Sequence, residues 1–184
     1  MMSPTGEEAG LLPENVVLDV AGDDGDWTLA ITDVMVRMQA AVTAVWRETP
    51  MARELSKRRQ VEISMLLTHD AQMRELNREY RGKNKPTNVL SFPGMDTDTL
   101  SVEGYDGPGL PSVALGDVVI SLETAMAEAE DAGKALVDHV SHLTVHGLLH
   151  LLGYDHEDDE EAATMEALEV RILAHLHIDD PYAT

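Results

Sequence analysis

Apolar positions along the chain follow two rhythms. Short β-rich runs occupy 15–20 (NVVLDV), 61–68 (VEISMLLT), 87–93 (TNVLSFP) and 115–121 (LGDVVIS), and each predicts a strand. Between 27 and 46, Leu29, Ile31, Val34, Met35, Met38, Val42 and Val45 recur at helical spacing. That pattern predicts one helix, capped by Asp26 and ended by Pro50. A second amphipathic helix is predicted over 70–81 (DAQMRELNREYR), with Thr68 or Asp70 near its cap and Gly82 at its end. Three more helices follow, over roughly 122–132, 135–152 and 158–177.

The order is therefore β, α, β, α, β, β, then helices. Two strands in succession point to a mixed sheet, and three helices in succession point to an α-rich face. The expected fold class is α/β of the α+β kind, a small mixed sheet of about four strands flanked by helices. Residues 94–114 are rich in Gly, Pro, Asp and Ser and have no periodicity, which predicts a long loop. Residues 1–14 have an acidic loop composition and are expected to form a disordered extension, leaving 15–180 as a single domain. No internal repeat is visible.

Composition narrows the chemistry. The 184 residues contain no cysteine, which removes disulfides, thiolate zinc sites and cysteine nucleophiles and suits a reducing cytoplasm. The start of the chain lacks the basic and apolar regions of a signal peptide, and no apolar run approaches the roughly 20 residues of a membrane span. A cytoplasmic protein without membrane contact is expected. The formal charge of −21 should repel nucleic acid unless positive charge is concentrated locally. It is concentrated along the sequence: nine of the thirteen Lys and Arg lie between positions 53 and 85, and residues 1–36 carry none.

The most informative stretch is 146–156, HGLLHLLGYDH. One helical turn separates His146 from His150, so both side chains share a face. Gly153 can end the helix in the left-handed conformation, allowing His156 to return toward the pair. Three imidazoles leave a tetrahedral ion one open position, the arrangement of a catalytic rather than a structural zinc. The helix would then be a metal helix of the zincin kind. Zinc peptidases of the metzincin type use the same histidine offsets, but they carry a glutamate base where this chain has Gly147. A divalent ion can by itself acidify water to near neutrality, so hydrolysis does not require that glutamate. Peptide hydrolysis would need a base elsewhere, in Asp155 or among residues 157–161.

Other polar residues carry less signal. His139 and His142 lie near the same helical face and suit a supporting or structural role better than ligation. Asp155 fits either a group that orients a ligand or a turn residue. Arg81, Lys83 and Lys85 in the 80–93 segment read equally as phosphate-facing charge and as a solvated turn. His69, His175 and His177 have no supporting pattern.

HGLLHLLGYDH resembles the signature of the YbeY family of bacterial metal-dependent endoribonucleases, which are rRNA maturation factors. LNREYRGKNKPTNVLSFP (76–93), LGDVVIS (115–121) and MEALEVRIL (165–173) resemble that family's further motifs in the same order. The resemblance implies a mixed sheet flanked by helices. It also implies one Zn2+ held by His146, His150 and His156, with Arg81 as the functional arginine. The implied activity is single-strand-specific endoribonuclease cleavage in rRNA maturation, at the 3′ end of 16S rRNA, and in ribosome quality control. Pre-rRNA is then the substrate, and the small ribosomal subunit or its proteins and an assembly GTPase are the partners. Asn84 stands where an aspartate is common in the family, the 94–114 loop is long, and the acidic N-terminal extension is unusual. Two alternatives remain: a zinc peptidase of metzincin-like geometry, and a ribosome-assembly factor with a structural zinc.

Overall fold

The computed structural model describes residues 11–22, 24–95 and 111–183. Four strands form one sheet in the order β1-β2-β4-β3. They are β1 (Val16–Ala21), β2 (Val61–Thr68), β3 (Val89–Pro93) and β4 (Val113–Ser121). β1, β2 and β4 run parallel, and β3 lies antiparallel to β4 at the edge. β3 and β4, which follow one another in the predicted order, pair directly and make the sheet mixed.

Between β1 and β2 the structure departs from the single helix expected over 27–46. A short helix, α1 (Asp26–Ala30), stops at Ile31, which is extended and buried. The chain restarts as α2 (Val34–Glu48). The break lets two anchors settle independently: Trp27 is fully buried and donates its indole N–H to the Thr68 carbonyl, while Met38, Ala41 and Val42 bury a separate stripe. Asp26 is not a cap, because Gly25 holds that position and no side chain caps the helix. α2 ends at Glu48, just ahead of Pro50 as expected, and Pro50 also opens a helix the pattern did not predict, α3 (Pro50–Arg58). At the first helical position proline loses no intrahelical hydrogen bond, and its φ already suits the helix.

α4 (Asp70–Arg81) begins after His69 and ends at Gly82. Neither Thr68 nor Asp70 caps it: the Asp70 carboxylate accepts from Ser121 and Thr124, and the Asp70 N–H donates to Glu123 from another helix. Beyond β4 come α5 (Leu122–Asp131), α6 (Leu136–Leu151) and α7 (Asp159–His175), close to the expected spans. Of the extension expected over 1–14, residues 1–10 lie outside the described residues. Leu12 packs on the core and the Leu11 carbonyl accepts from Thr43. Most of the predicted 94–114 loop, residues 96–110, also lies outside them.

One sheet face carries the main core, with α2 and α6 against it and α7 packed on both. The other face is covered by α4 through a small cluster of Met73, Leu90 and Val119. α6 is buried along most of its length, and its contact with the sheet depends on Gly147. A Cβ there would lie 2.7 Å from Val118 Cγ1 and 3.2 Å from Ser91 Oγ. Val118 is fully buried and stiff at χ1, so it cannot retreat cheaply. Gly147→Ala should therefore destabilise the protein by about 1–2 kcal/mol, overpacking outweighing the gain in helix propensity. Urea unfolding would show this as a lower midpoint, and an unchanged or higher midpoint would contradict the packing argument.

Candidate metal centre

The last turn of α6 and the turn after it build the site. Gly153 is left-handed (φ 88°) and its N–H donates to the His150 carbonyl. Tyr154 N–H donates to the Leu149 carbonyl, which satisfies a second open helix end. The chain then doubles back, and Asp155 accepts a hydrogen bond from the His156 backbone N–H at 2.8 Å. Asp155 thus serves as a turn residue, one of its two expected roles, and holds the position of His156.

This turn brings the three predicted histidines together. One ring nitrogen of each of His146, His150 and His156 lies within 4.8 Å of the others. The Nε2 atoms of His146 and His150 stand 3.1 Å apart. Imidazole nitrogens at about 2.0–2.1 Å from a tetrahedral zinc would stand about 3.3 Å apart, so the pair already has the spacing of a shared ion. Burial, followed by the proximity of His146 and His156, lowers the pKa of His150. That keeps its ring neutral and able to ligate. The donor set suits a divalent ion such as zinc.

The sequence did not single out the residue that orients this set. Glu169, on α7, is fully buried. Its Oε1 accepts from His146 Nδ1 at 2.6 Å, while Oε2 lies 3.3 Å from His142 Nε2 and accepts from the Tyr182 hydroxyl. Burial opposes ionisation, but the hydrogen bonds from His142, His146 and Tyr182 outweigh it and hold the Glu169 pKa at about 2. A carboxylate only accepts, so His146 must carry its proton on Nδ1, which leaves the Nε2 lone pair facing the site. Burial and then the Glu169 anion push the Tyr182 phenol well above its ordinary pKa, so it remains a donor. A signal for Glu169 was present: Met165, Leu168, Ile172 and Leu173 form the buried stripe of α7, and Glu169 lies within it.

The remaining histidines have other partners. His139 bonds Glu128 at 2.8 Å, and Glu128 also accepts from Asn88. His175 pairs with Glu48. Exposed Asp24 and Asp26 lie near His69, but both nitrogens of that ring already face carboxylates of Asp24 and Glu123.

Beside the histidines opens a cleft of about 570 Å³, lined also by Arg81, Asn88 and Ser91. Arg81 is exposed, and among the described residues no carboxylate pairs with it. Lys83 and Lys85, offered with it by the sequence, do not line the cleft. Gly147 faces Val118 and Ser91, so a side chain at that position would enter the sheet rather than the cleft. No base could act from there.

Residues 29–177 match the family model for endoribonuclease YbeY. The chain belongs to the YbeY family. An endoribonuclease YbeY of Paramagnetospirillum magneticum is 59% identical over 122 residues, covering 66% of this chain and 71% of that protein. The Rhodospirillum rubrum endoribonuclease YbeY is 48% identical over 169 residues, covering 91% of this chain and 82% of that protein. The fold is shared with a Thermotoga maritima protein solved in solution, with a TM-score of 0.50 at 18% identity. That match covers 91% of this chain and all of the other. YbeY membership makes the chain a nuclease-type hydrolase. Among the described residues no helix is long and apolar enough to cross a membrane.

Saturating the histidine site should stabilise the fold. At a free divalent ion concentration of 100 times Kd the gain is about 2.7 kcal/mol. Calorimetry should show zinc raising the Tm of the wild type and not of His150→Ala. Equal shifts in both would place binding elsewhere.

Proposed function

We propose that the protein is a zinc-dependent endoribonuclease that cleaves single-stranded segments of ribosomal RNA precursors, including the 3′ end of 16S rRNA. His146, His150 and His156 hold the ion, and Arg81 acts on the scissile phosphate. The observation that carries this reading is that a guanidinium, with no carboxylate partner among the described residues, and three converging imidazoles line one cleft. Zinc bound there supplies Lewis acidity to a phosphoryl oxygen or to water.

The protein's own groups do the rest. Arg81 presents a planar fork of N–H donors that matches two phosphate oxygens, and it neutralises charge that grows in the transition state. Among the described residues no carboxylate competes for it. Glu169 keeps the His146 proton on Nδ1, turned away from the cleft. Ser91 donates to the Gly147 carbonyl at 3.1 Å, tying the cleft wall on β3 to the metal helix. A peptidase reading lacks the metzincin-type base: Gly147 has no side chain and could not aim one at the cleft, and Asp155, which lines the cleft, accepts from the His156 N–H.

Arg74, Arg78 and Arg81 lie on α4, and Arg81 reaches the cleft rim. The chain's net charge of −21 opposes RNA overall. We therefore assign partners that bring positive charge to the complex, namely proteins of the small ribosomal subunit, with an assembly GTPase as a further partner. We place the work in the cytoplasm, where pre-rRNA is found.

Arg81→Glu should lower cleavage of a pre-rRNA fragment by about 10²–10³-fold, the usual scale for losing one transition-state charge contact. Bound metal and Tm should stay at wild-type values. If Arg81→Glu cleaves normally, or if casein is cut and RNA is not, the assignment is wrong.

A further inference from the structure

Residues 177–182 return to the histidine cluster and meet it at His142 and Glu169. After α7 the backbone turns at His177 (φ 58°), and Ile178 packs on the main core. Lys134, in the turn between α5 and α6, donates to the Pro181 carbonyl at 2.6 Å. Asp180 accepts from the Tyr182 N–H at 2.8 Å. These contacts seat the Tyr182 ring edge-on against His142, with centroids 5.6 Å apart, and aim its hydroxyl at Glu169. A cavity of about 280 Å³ adjoins the same point, lined by His146, His156, Met165, Glu166, Glu169 and Tyr182.

The carboxylate of Glu169 has no solvent exposure, so protein donors must replace its water. One of the three is His146, a histidine of the metal site, and another is Tyr182, which is itself 41% exposed and belongs to the last turn of the chain. Without the phenol, Oε2 would keep only the longer 3.3 Å contact with His142. The carboxylate would then turn or admit water, and the hydrogen bond that fixes His146 would weaken with it.

We propose that the C-terminal turn 180–182 is a latch on the metal centre, with Tyr182 a positioning residue that acts through Glu169 on His146 to tighten metal binding. The proposal rests on the zinc-site reading above and adds to it a segment with no group in the cleft. Coupling is reciprocal: whatever the docked tyrosine contributes to metal affinity, the bound metal returns as docking of the turn.

Tyr182→Phe tests this, because it keeps the ring against His142 and removes only the hydroxyl. Groups that orient a ligand typically contribute 10–100-fold to metal affinity. Zinc affinity measured by competition with a chromophoric chelator should fall about 10-fold in Tyr182→Phe and further in Glu169→Gln. In the metal-free protein, imidazole 15N shifts should show the Nδ1–H form of His146 less populated in Tyr182→Phe than in wild type. Hydrogen exchange at Tyr182 and Ala183 should slow on adding zinc to wild type and not to His150→Ala. Unchanged zinc affinity with an unchanged His146 tautomer overturns the latch. So does a fall in affinity that leaves the tautomer untouched, since it would have reached the metal by another route. A wild type that binds no zinc overturns the metal reading instead, so the two failures are distinguishable.

Discussion

The bond between Glu169 and His146 organises the centre. A carboxylate stripped of water inside a protein is costly unless donors surround it. Here the donors arrive from α6 and from the chain's final turn, so satisfying one buried charge fastens α7 to the metal helix. The same bond fixes the His146 tautomer. Packing and the readiness of the site are thus one problem: the group buried on α7 also leaves the His146 Nε2 lone pair facing a cluster that could hold an ion.

A second constraint acts on the opposite side of α6. Gly147 lets the helix approach β4 until Val118 and Ser91 touch its backbone. Position 147 therefore belongs to the sheet interface, whereas His146 and His150 emerge beside the cleft. This geometry separates the chain from a peptidase with identical histidine offsets more firmly than the missing glutamate alone. A glutamate placed at 147 would have to push the helix off the sheet, moving the ligands it was meant to serve.

Much of this was legible before any coordinates. The spacing of His146 and His150 and the glycine before His156 specify a turn whose geometry is local, and local geometry survives from sequence to fold. The strands were legible for a similar reason, being β-rich runs bounded by turn residues. What failed was read at boundaries. Pro50 does follow the stop of α2, but it also begins α3, which a residue known for breaking helices does not announce. The split at Ile31 follows from two anchors, Trp27 and Met38, that find separate pockets, and helical spacing alone cannot show this. Glu169 was missed because a glutamate in a charged helix passes for solvated surface. Its place within the stripe of Met165, Leu168 and Ile172 marks it otherwise.

Charge carries the argument from site to substrate. Affinity for a polyanion scales with the number of phosphates neutralised, and the surface as a whole opposes such contacts. With −21 overall, the chain gains no long-range attraction to RNA from its net charge. Under the proposed reading, the guanidinium of Arg81 at the cleft rim engages one phosphate closely. Such an enzyme gains little from binding RNA indiscriminately. Close contact at one phosphate, rather than long-range attraction to the polyanion, is what the proposed cleavage would have to rely on.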